Sequence, residues 1–204
     1  MLVYAHRGAS VELPENSLEA FRRAVELGVD AIETDVHLTK DGHVVIHHDD
    51  DGLRSASVRE RVADSTLAQV SRWNLAFGFR KPDGHGLVDA EVRVPLLERA
   101  LTELGEVRFN IDIKPRSSAA ARAVVELVHR LGAERRVLLT SFYDGVIATV
   151  RELGYRGATG LGRFGAARVL GAPPGCPRAV LPHGDRLQIP VAAGPLRLDT
   201  ERVI

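Results

Sequence analysis

Apolar residues along this chain alternate between two periods. In ENSLEAFRRAVELG, Leu18, Phe21 and Val25 recur every three or four residues, with Arg22, Arg23 and Glu26 between them. That spacing predicts a helix with one apolar stripe. Asn16 and Glu19 stand at capping-box separation, and Gly28 suits the position just past the helix end. The pattern returns over Leu96 to Leu104 before Gly105, Ser118 to Leu131 before Gly132, and Tyr143 to Leu153 before Gly154. Short apolar runs separate these helices: VYA at the start, then VRFNIDIK, RVLLTSF and RGATGLG. Helices alternating with short buried strands predict an α/β domain with a parallel sheet. An open doubly wound sheet and a (β/α)8 barrel both satisfy that pattern.

Two stretches break the alternation. AIETDVHLTKDGHVVIHHDD holds two strand patterns with no helix between them. A parallel crossover needs about a dozen residues or more, so TKDG predicts an antiparallel hairpin. With Lys40 and Asp41 as a two-residue loop, Glu33 faces His48 and Asp35 faces Ile46; a three-residue loop shifts the pairing by one. Glu33, Asp35 and His37 share one face in either register, because a strand has period two. The hairpin thus brings an imidazole within a residue or so of two carboxylates. Residues 52–94 keep no steady period. They predict one short helix from Ser65 to Trp73, turns and scattered aromatics, an irregular insertion of the functional-loop or lid type. It belongs to a single domain of residues 1–204. After Gly154, GRFGAARVLGAPPGCPRAVLPHGD reads as loops around a short helix, and RLQIPVAAGPLRL as a strand and a turn.

Composition narrows the function classes. At 204 residues the chain can bury a sizeable core. Its 27 basic and 27 acidic residues cancel, which removes any whole-chain electrostatic reason to expect nucleic acid or an anionic membrane as partner. The single cysteine, Cys176, cannot form an internal disulfide and suits a reducing compartment. No apolar run approaches about 18 residues, so stable membrane insertion by a helix is not expected. The first strand begins at residue 2 or 3, ahead of any room for a signal peptide. The expectation is a cytoplasmic protein.

Chemistry gathers where strands end. His6 and Arg7 close the first strand, Glu33 and Asp35 lie on the second, His48 and Asp49 follow the hairpin, and Asp112 and Lys114 lie in FNIDIK. In that last strand Asn110, Asp112 and Lys114 face one way, and Ile111 and Ile113 the other. An Asp and a Lys on the inner face of a parallel sheet cost free energy unless paired, metal-bound or open to solvent. Three carboxylates, Glu33, Asp35 and Asp112, suit a hard divalent cation, Ca2+ or Mg2+, better than zinc. Arg7 and Lys114 suit an anion such as phosphate. Two imidazoles, His6 and His48, suit a general acid and a general base. Together these groups describe phosphodiester cleavage.

AHRGAS, PENS, IETDVHLTKDG, VVIHHD, VPLLERAL, FNIDIK and TSF occur in this order over residues 2 to about 160. The series resembles the glycerophosphodiester phosphodiesterase family, whose distorted (β/α)8 barrel is shared with phosphatidylinositol-specific phospholipase C. The resemblance implies His6 and His48 as the acid/base pair, and Arg7, with Lys114, as the phosphate grip. It implies Glu33, Asp35 and Asp112 as ligands of one divalent cation, with Asp112 where the family often has Glu. Glu15 and Asn16 match the Pro-Glu-Asn motif that holds the first loop at the site, and Asp49 orients His48 or its loop. The implied reaction is metal-dependent hydrolysis of a small glycerophosphodiester to sn-glycerol 3-phosphate and an alcohol. The family continues through two more βα units, with a Trp-Thr-Val-Asn-like strand and a last strand near Asp-Arg-Pro. No counterpart follows LDTERVI, so the expected barrel is incomplete or open at its C-terminal end. An unclosed edge exposes a strand and apolar surface, a route to self-association.

Two other readings use the same residues. One is a cyclic-phosphate-forming lipid phosphodiesterase, a class usually secreted and disulfide-bonded, which one cysteine disfavours. The other is an inactive truncated relative that binds phosphate or a partner chain. Other polar residues read as scaffold: His47 as an outward neighbour of His48, Asp50 and Asp51 as a solvated turn, and His37, His43, His85, His129 and His183 as surface or loop histidines. Cys176 reads as a loop thiol. Trp73, Phe77 and Phe79 divide between lid packing and substrate contact.

Overall fold

The computed structural model describes residues 2–84, 90–170, 192–193 and 196–197. Its main sheet carries five parallel strands in the order β1 (Tyr4–His6), β2 (Ala31–Leu38), β6 (Arg108–Ile113), β7 (Val137–Thr140) and β8 (Ala158–Thr159). β3 (Val44–Ile46) pairs antiparallel with β2. Helices α1 (Leu18–Glu26), α4 (Leu97–Glu103), α5 (Ser118–Arg130) and α6 (Asp144–Glu152) connect successive strands, and α7 (Arg163–Leu170) follows β8. This is the α/β architecture with a parallel sheet that the alternating periods predict. Two short strands, β9 (Ala192–Ala193) and β10 (Leu196–Arg197), pair antiparallel with each other. Cys176, His85 and His183 lie outside the described residues.

The core forms where the helices lay their apolar stripes on one face of the sheet. Phe21 of α1 meets Phe109 of β6 edge-on at 6.1 Å. Ile32, Ile111, Ile113 and Leu139 from three adjacent strands are fully buried beside them. Their neighbours Glu33, Asp112 and Thr140 alternate to the opposite face. Pleating therefore sorts one strand into a packing side and a chemical side.

Several local expectations change. The α1 cap is Ser17, whose hydroxyl accepts from the Ala20 amide, and not Asn16. Asn16 takes a left-handed conformation, φ 57°, and turns its amide into the protein. The hairpin uses the three-residue loop: Val36 pairs with Ile46 and Leu38 with Val44, and the His47 amide donates to the Asp35 carbonyl. Glu33 therefore does not face His48. A Gly42 φ of 84° and a Gly42 amide donating to Thr39 show how the third residue is accommodated.

The stretch 52–94 builds more than a loop. β4 (Asp51–Gly52) pairs antiparallel with β5 (Val58–Arg61) around α2 (Leu53–Ala56), and α3 (Leu67–Val70) replaces the longer helix predicted to reach Trp73. Trp73, Val62, Val70, Leu75, Val92 and Val94 make a second apolar cluster against Val45 of β3. Trp73 is buried there, and Phe79 is buried outside the cluster, whereas Phe77 is exposed. His47 is only 2% exposed, and its ring packs edge-on against Trp73 at 5.5 Å. It is thus a core residue beneath the insertion, not an outward one. His37 is likewise buried, 7% exposed, and not a surface histidine. Among the described residues no helix is long and apolar enough to cross a membrane.

Candidate active site

The C-terminal ends of β1, β2 and β6, with the residues after β3, converge on one rim. Parallel register sets the spacing: His6 pairs with Glu33 across β1 and β2, Glu33 with Asn110 and Asp35 with Asp112 across β2 and β6. The first loop then turns sharply. Arg7 sits at φ 59°, a rare conformation for a side-chain-bearing residue, and Gly8 at φ 82°. A Cβ on Gly8 would lie 2.8 Å from the Ala20 carbonyl carbon, so only glycine lets this loop lie against α1. The turn sends the Arg7 side chain inward toward the carboxylates.

Asp35 is the hub, with its side chain 1% exposed. Asn16 Nδ2 donates to Asp35 Oδ2 at 2.9 Å, and Thr34 Oγ1 donates to Asn16 Oδ1 at 2.7 Å. Lys114 Nζ lies 2.8 Å from Asp35 Oδ1 and 2.7 Å from Asp112 Oδ2. Burial would raise the Asp35 pKa, but Lys114 and the Asn16 hydrogen bond outweigh it and hold the carboxyl below its ordinary range. Lys114 is itself raised by Asp112 and Asp35 against the cost of its burial. Arg7 Nε lies 3.2 Å from Asp35 Oδ2, while Arg7 Nη1 donates to Glu15 Oε1 at 3.1 Å. The Arg7 Nε–H is buried without an aligned acceptor among the described residues.

Glu33 is the opposite case. Burial pushes its carboxyl up to about 7, and the negative charges of Asp35 and Asp112 add to the effect. Three carboxylates that repel one another in a partly buried rim fit a hard divalent cation with oxygen ligands, which would relieve that repulsion. Among the described residues no group of three His, Cys, Asp or Glu side chains is arranged so that it could hold a metal ion. The Lys114 ammonium instead bridges Asp35 and Asp112. The donor types are those a hard cation takes, while in the present arrangement Lys114 is the charge that balances Asp35 and Asp112.

The histidines differ in their surroundings. His6 is 69% exposed, with Nε2 3.8 Å from Glu33 Oε2. Partial desolvation and the Arg7 charge lower its pKa, as does the charge of His48. His48 is better held: its Nδ1–H donates to Asp49 Oδ1 at 2.7 Å, which leaves Nε2 for the cleft. Asp49 is depressed despite its desolvation, through His48 and Arg54. Arg54 Nε donates to Asp49 Oδ2 at 2.7 Å, and Arg54 Nη2 to Glu15 Oε1 at 2.6 Å. From below, His37 Nε2 meets the His48 carbonyl at 3.1 Å. His47 Nδ1 meets the Asp49 carbonyl and Nε2 the Ser55 hydroxyl, each at 2.8 Å.

The rim thus brings together His6, Arg7, Glu15, Asn16, Glu33, Asp35, His48, Asp49, Asp112 and Lys114. Arg54, His37 and His47 belong to it as supports and were not legible as such in the sequence. Arg54 lies in the aperiodic insertion, and its contacts with Glu15 and Asp49 span 39 and 5 residues. The HH pair was the only signal for His47.

Comparison with known proteins agrees with the geometry. The model of the glycerophosphoryl diester phosphodiesterase family matches residues 6–152. The protein YqiK of Bacillus subtilis is 36% identical over 156 residues, which cover 74% of this chain and 62% of that protein. The glycerophosphodiester phosphodiesterase of Caldanaerobacter subterraneus subsp. tengcongensis is 33% identical over 157 residues, with the same two coverages, 74% and 62%. The chain therefore spans about three-fifths of the length of these curated relatives. The crystal structure of a glycerophosphodiester phosphodiesterase from Agrobacterium tumefaciens superposes with a TM-score of 0.69 at 25% identity, covering 79% of this chain and 66% of that one. The fold matches such TIM-barrel structures over part of their length. With the family model covering most of its length and the ordered rim beneath it, this chain belongs to the glycerophosphoryl diester phosphodiesterase family.

Proposed function

We propose that this chain hydrolyses glycerophosphodiesters to sn-glycerol 3-phosphate and an alcohol. One observation carries the reading: two imidazoles, an arginine, a lysine and three carboxylates converge on one rim at strand C-terminal ends. That is where parallel α/β enzymes keep their chemistry. Glu33, Asp35 and Asp112 would hold the divalent cation that the family typically uses. Bound there, it would supply Lewis-acid stabilisation of charge on the phosphoryl oxygens.

The chain's own groups do the rest. The Arg7 guanidinium, held in place by Asp35 and Glu15, supplies positive charge to the phosphate, and Lys114 adds a second positive charge behind it. His6, whose pKa is lowered by partial burial and the Arg7 charge, takes the proton of the attacking oxygen. His48, with Asp49 on Nδ1, presents Nε2 to the departing alcohol and gives it a proton. Asp49 balances the ring's charge while it holds both protons.

The test is coupled release of sn-glycerol 3-phosphate from glycerophosphocholine, with Ca2+ or Mg2+ and with a chelator. Cation-dependent release is expected. A folded protein that releases none at saturating cation, on this or any glycerophosphodiester, contradicts the reading.

A further inference from the structure

A second cleft opens beside the rim, at the ends of β6 and β7. It has a volume of about 420 Å³, within the range of small-molecule sites. None of the rim residues lines it. Its walls come from the segments that directly continue the rim strands. Arg116 follows Lys114 by two residues, and Phe142 follows Thr140, the register partner of Asp112. Two extended residues span at most about 7 Å, so the backbone of the cleft's nearest lining residues lies within that distance of Lys114 and Thr140.

The lining has a definite chemistry. Arg163 lies over the rings of Phe142 and Phe164, at 5.2 and 4.9 Å from their centroids, and Arg116 lies 5.9 Å from the ring of Tyr143. Neither arginine forms an ion pair with a described residue, and both are exposed. The carboxylate in the cleft, Asp144, is already engaged: it accepts from the Phe164 and Gly165 amides at 3.0 and 2.9 Å. The first turns of α5 and α6 border the cleft and add their positive ends. Phe142 and Phe164 stay 57% and 65% exposed, more than surface phenylalanines need be. The rings fix the guanidinium planes without neutralising them.

We propose that this cleft receives the leaving alcohol and selects glycerophosphodiesters whose alcohol carries a second phosphate or a like anion. The proposal rests on the phosphodiesterase reading of the rim and names its substrate class. A choline or ethanolamine headgroup brings a cation toward two unpaired guanidinium groups, which is unfavourable. A phosphate-bearing alcohol meets bidentate donors instead.

Two measurements separate this proposal from the reading beneath it. The first is equilibrium binding, in the presence of chelator, of bis(glycerophospho)glycerol and of glycerophosphocholine. The anionic diester is expected to bind at least tenfold more tightly, and Arg116→Gln with Arg163→Gln to remove that advantage. The second is the ratio of kcat/KM for the two diesters, expected above ten in the wild type and near one in the double variant. Equal binding of the two diesters, or an advantage that survives the double substitution, overturns the subsite. Preferential binding without turnover of either diester supports the subsite and counts against the rim as a phosphodiesterase. Both arginines are exposed, so neutral glutamine at these positions leaves the fold intact.

Discussion

The carboxylate rim and the arginine cleft lie side by side on one sheet edge, yet they handle charge in opposite ways. In the rim nearly every ionic group has a partner within the chain: Asp35 with Lys114 and Arg7, Asp49 with His48 and Arg54, Glu15 with Arg7 and Arg54. In the cleft, Arg116 and Arg163 rest on aromatic rings and have no carboxylate partner among the described residues. A paired, half-buried network is a preorganised device. Its geometry is set before any ligand arrives, and removing one member leaves another charge buried and uncompensated. An unpaired, exposed arginine is set for recognition, and its loss costs the fold little. The rim thus reads as machinery and the cleft as selectivity.

That contrast gives graded expectations. The largest concerns Asp35→Ala, which strips the hub from Lys114, Arg7 and Asn16. It is expected to destabilise the fold by about 3–5 kcal/mol, read from chemical denaturation. A loss below about 1 kcal/mol would show that the rim does not hold itself together through this carboxylate.

Next comes pH. Burial pushes His37 down to about 4 from the ordinary 6.5, so the folded state keeps the ring neutral where the unfolded chain protonates it. The unfolded state then binds more protons, and the stability from His37 is full above pH 6.5 and lost as pH falls toward 4. Glu33 has the opposite sign, since its raised pKa costs stability as pH rises from 4.5 to about 7. The comparison with His37→Gln isolates the histidine. The wild type's advantage over this variant should shrink by about 2 kcal/mol between pH 7.5 and pH 5. A constant difference would mean that the ring is not held neutral.

Arg54 comes third. It touches His48 through Asp49 and Arg7 through Glu15, so it is a positioning residue. Arg54→Ala is expected to lower kcat about tenfold with KM nearly unchanged, in line with loss of orientation in general acid–base help. Arg54→Lys should restore part of it. A change confined to KM would move Arg54 to substrate binding. The smallest effect belongs to the cleft: Arg116→Gln should change stability by less than about 0.5 kcal/mol. A larger loss would mean that Arg116 holds the fold and that the contrast with the rim is false.

Much of the rim was legible in the sequence because strands state their own faces. Alternation placed Glu33 with Asp35 and Asp112 with Lys114, and the sheet register then set the two pairs side by side. Helix ends were legible through Gly28, Gly132 and Gly154, each at positive φ. The failures have a common cause, since each depended on a partner distant in sequence or on one residue of loop length. The hairpin register turned on whether Gly42 belongs to the loop. Asn16 looked like a cap until Asp35 and Thr34 claimed both ends of its amide. His37 and His47 look like polar surface in any window, and only the second apolar cluster around Trp73 buries them. Arg54 carried no local pattern at all.

The most direct test of the central claim is the initial rate of a single natural glycerophosphodiester in the wild type, His6→Ala and His48→Ala at saturating divalent cation, repeated with a diester whose leaving group is a good one. Each substitution is expected to slow the natural substrate by about 10²-fold or more. The good leaving group should restore His48→Ala, which has lost the proton donor, and leave His6→Ala slow. Near wild-type rates for both variants on the natural diester would contradict the account of this rim as a two-histidine phosphodiesterase site.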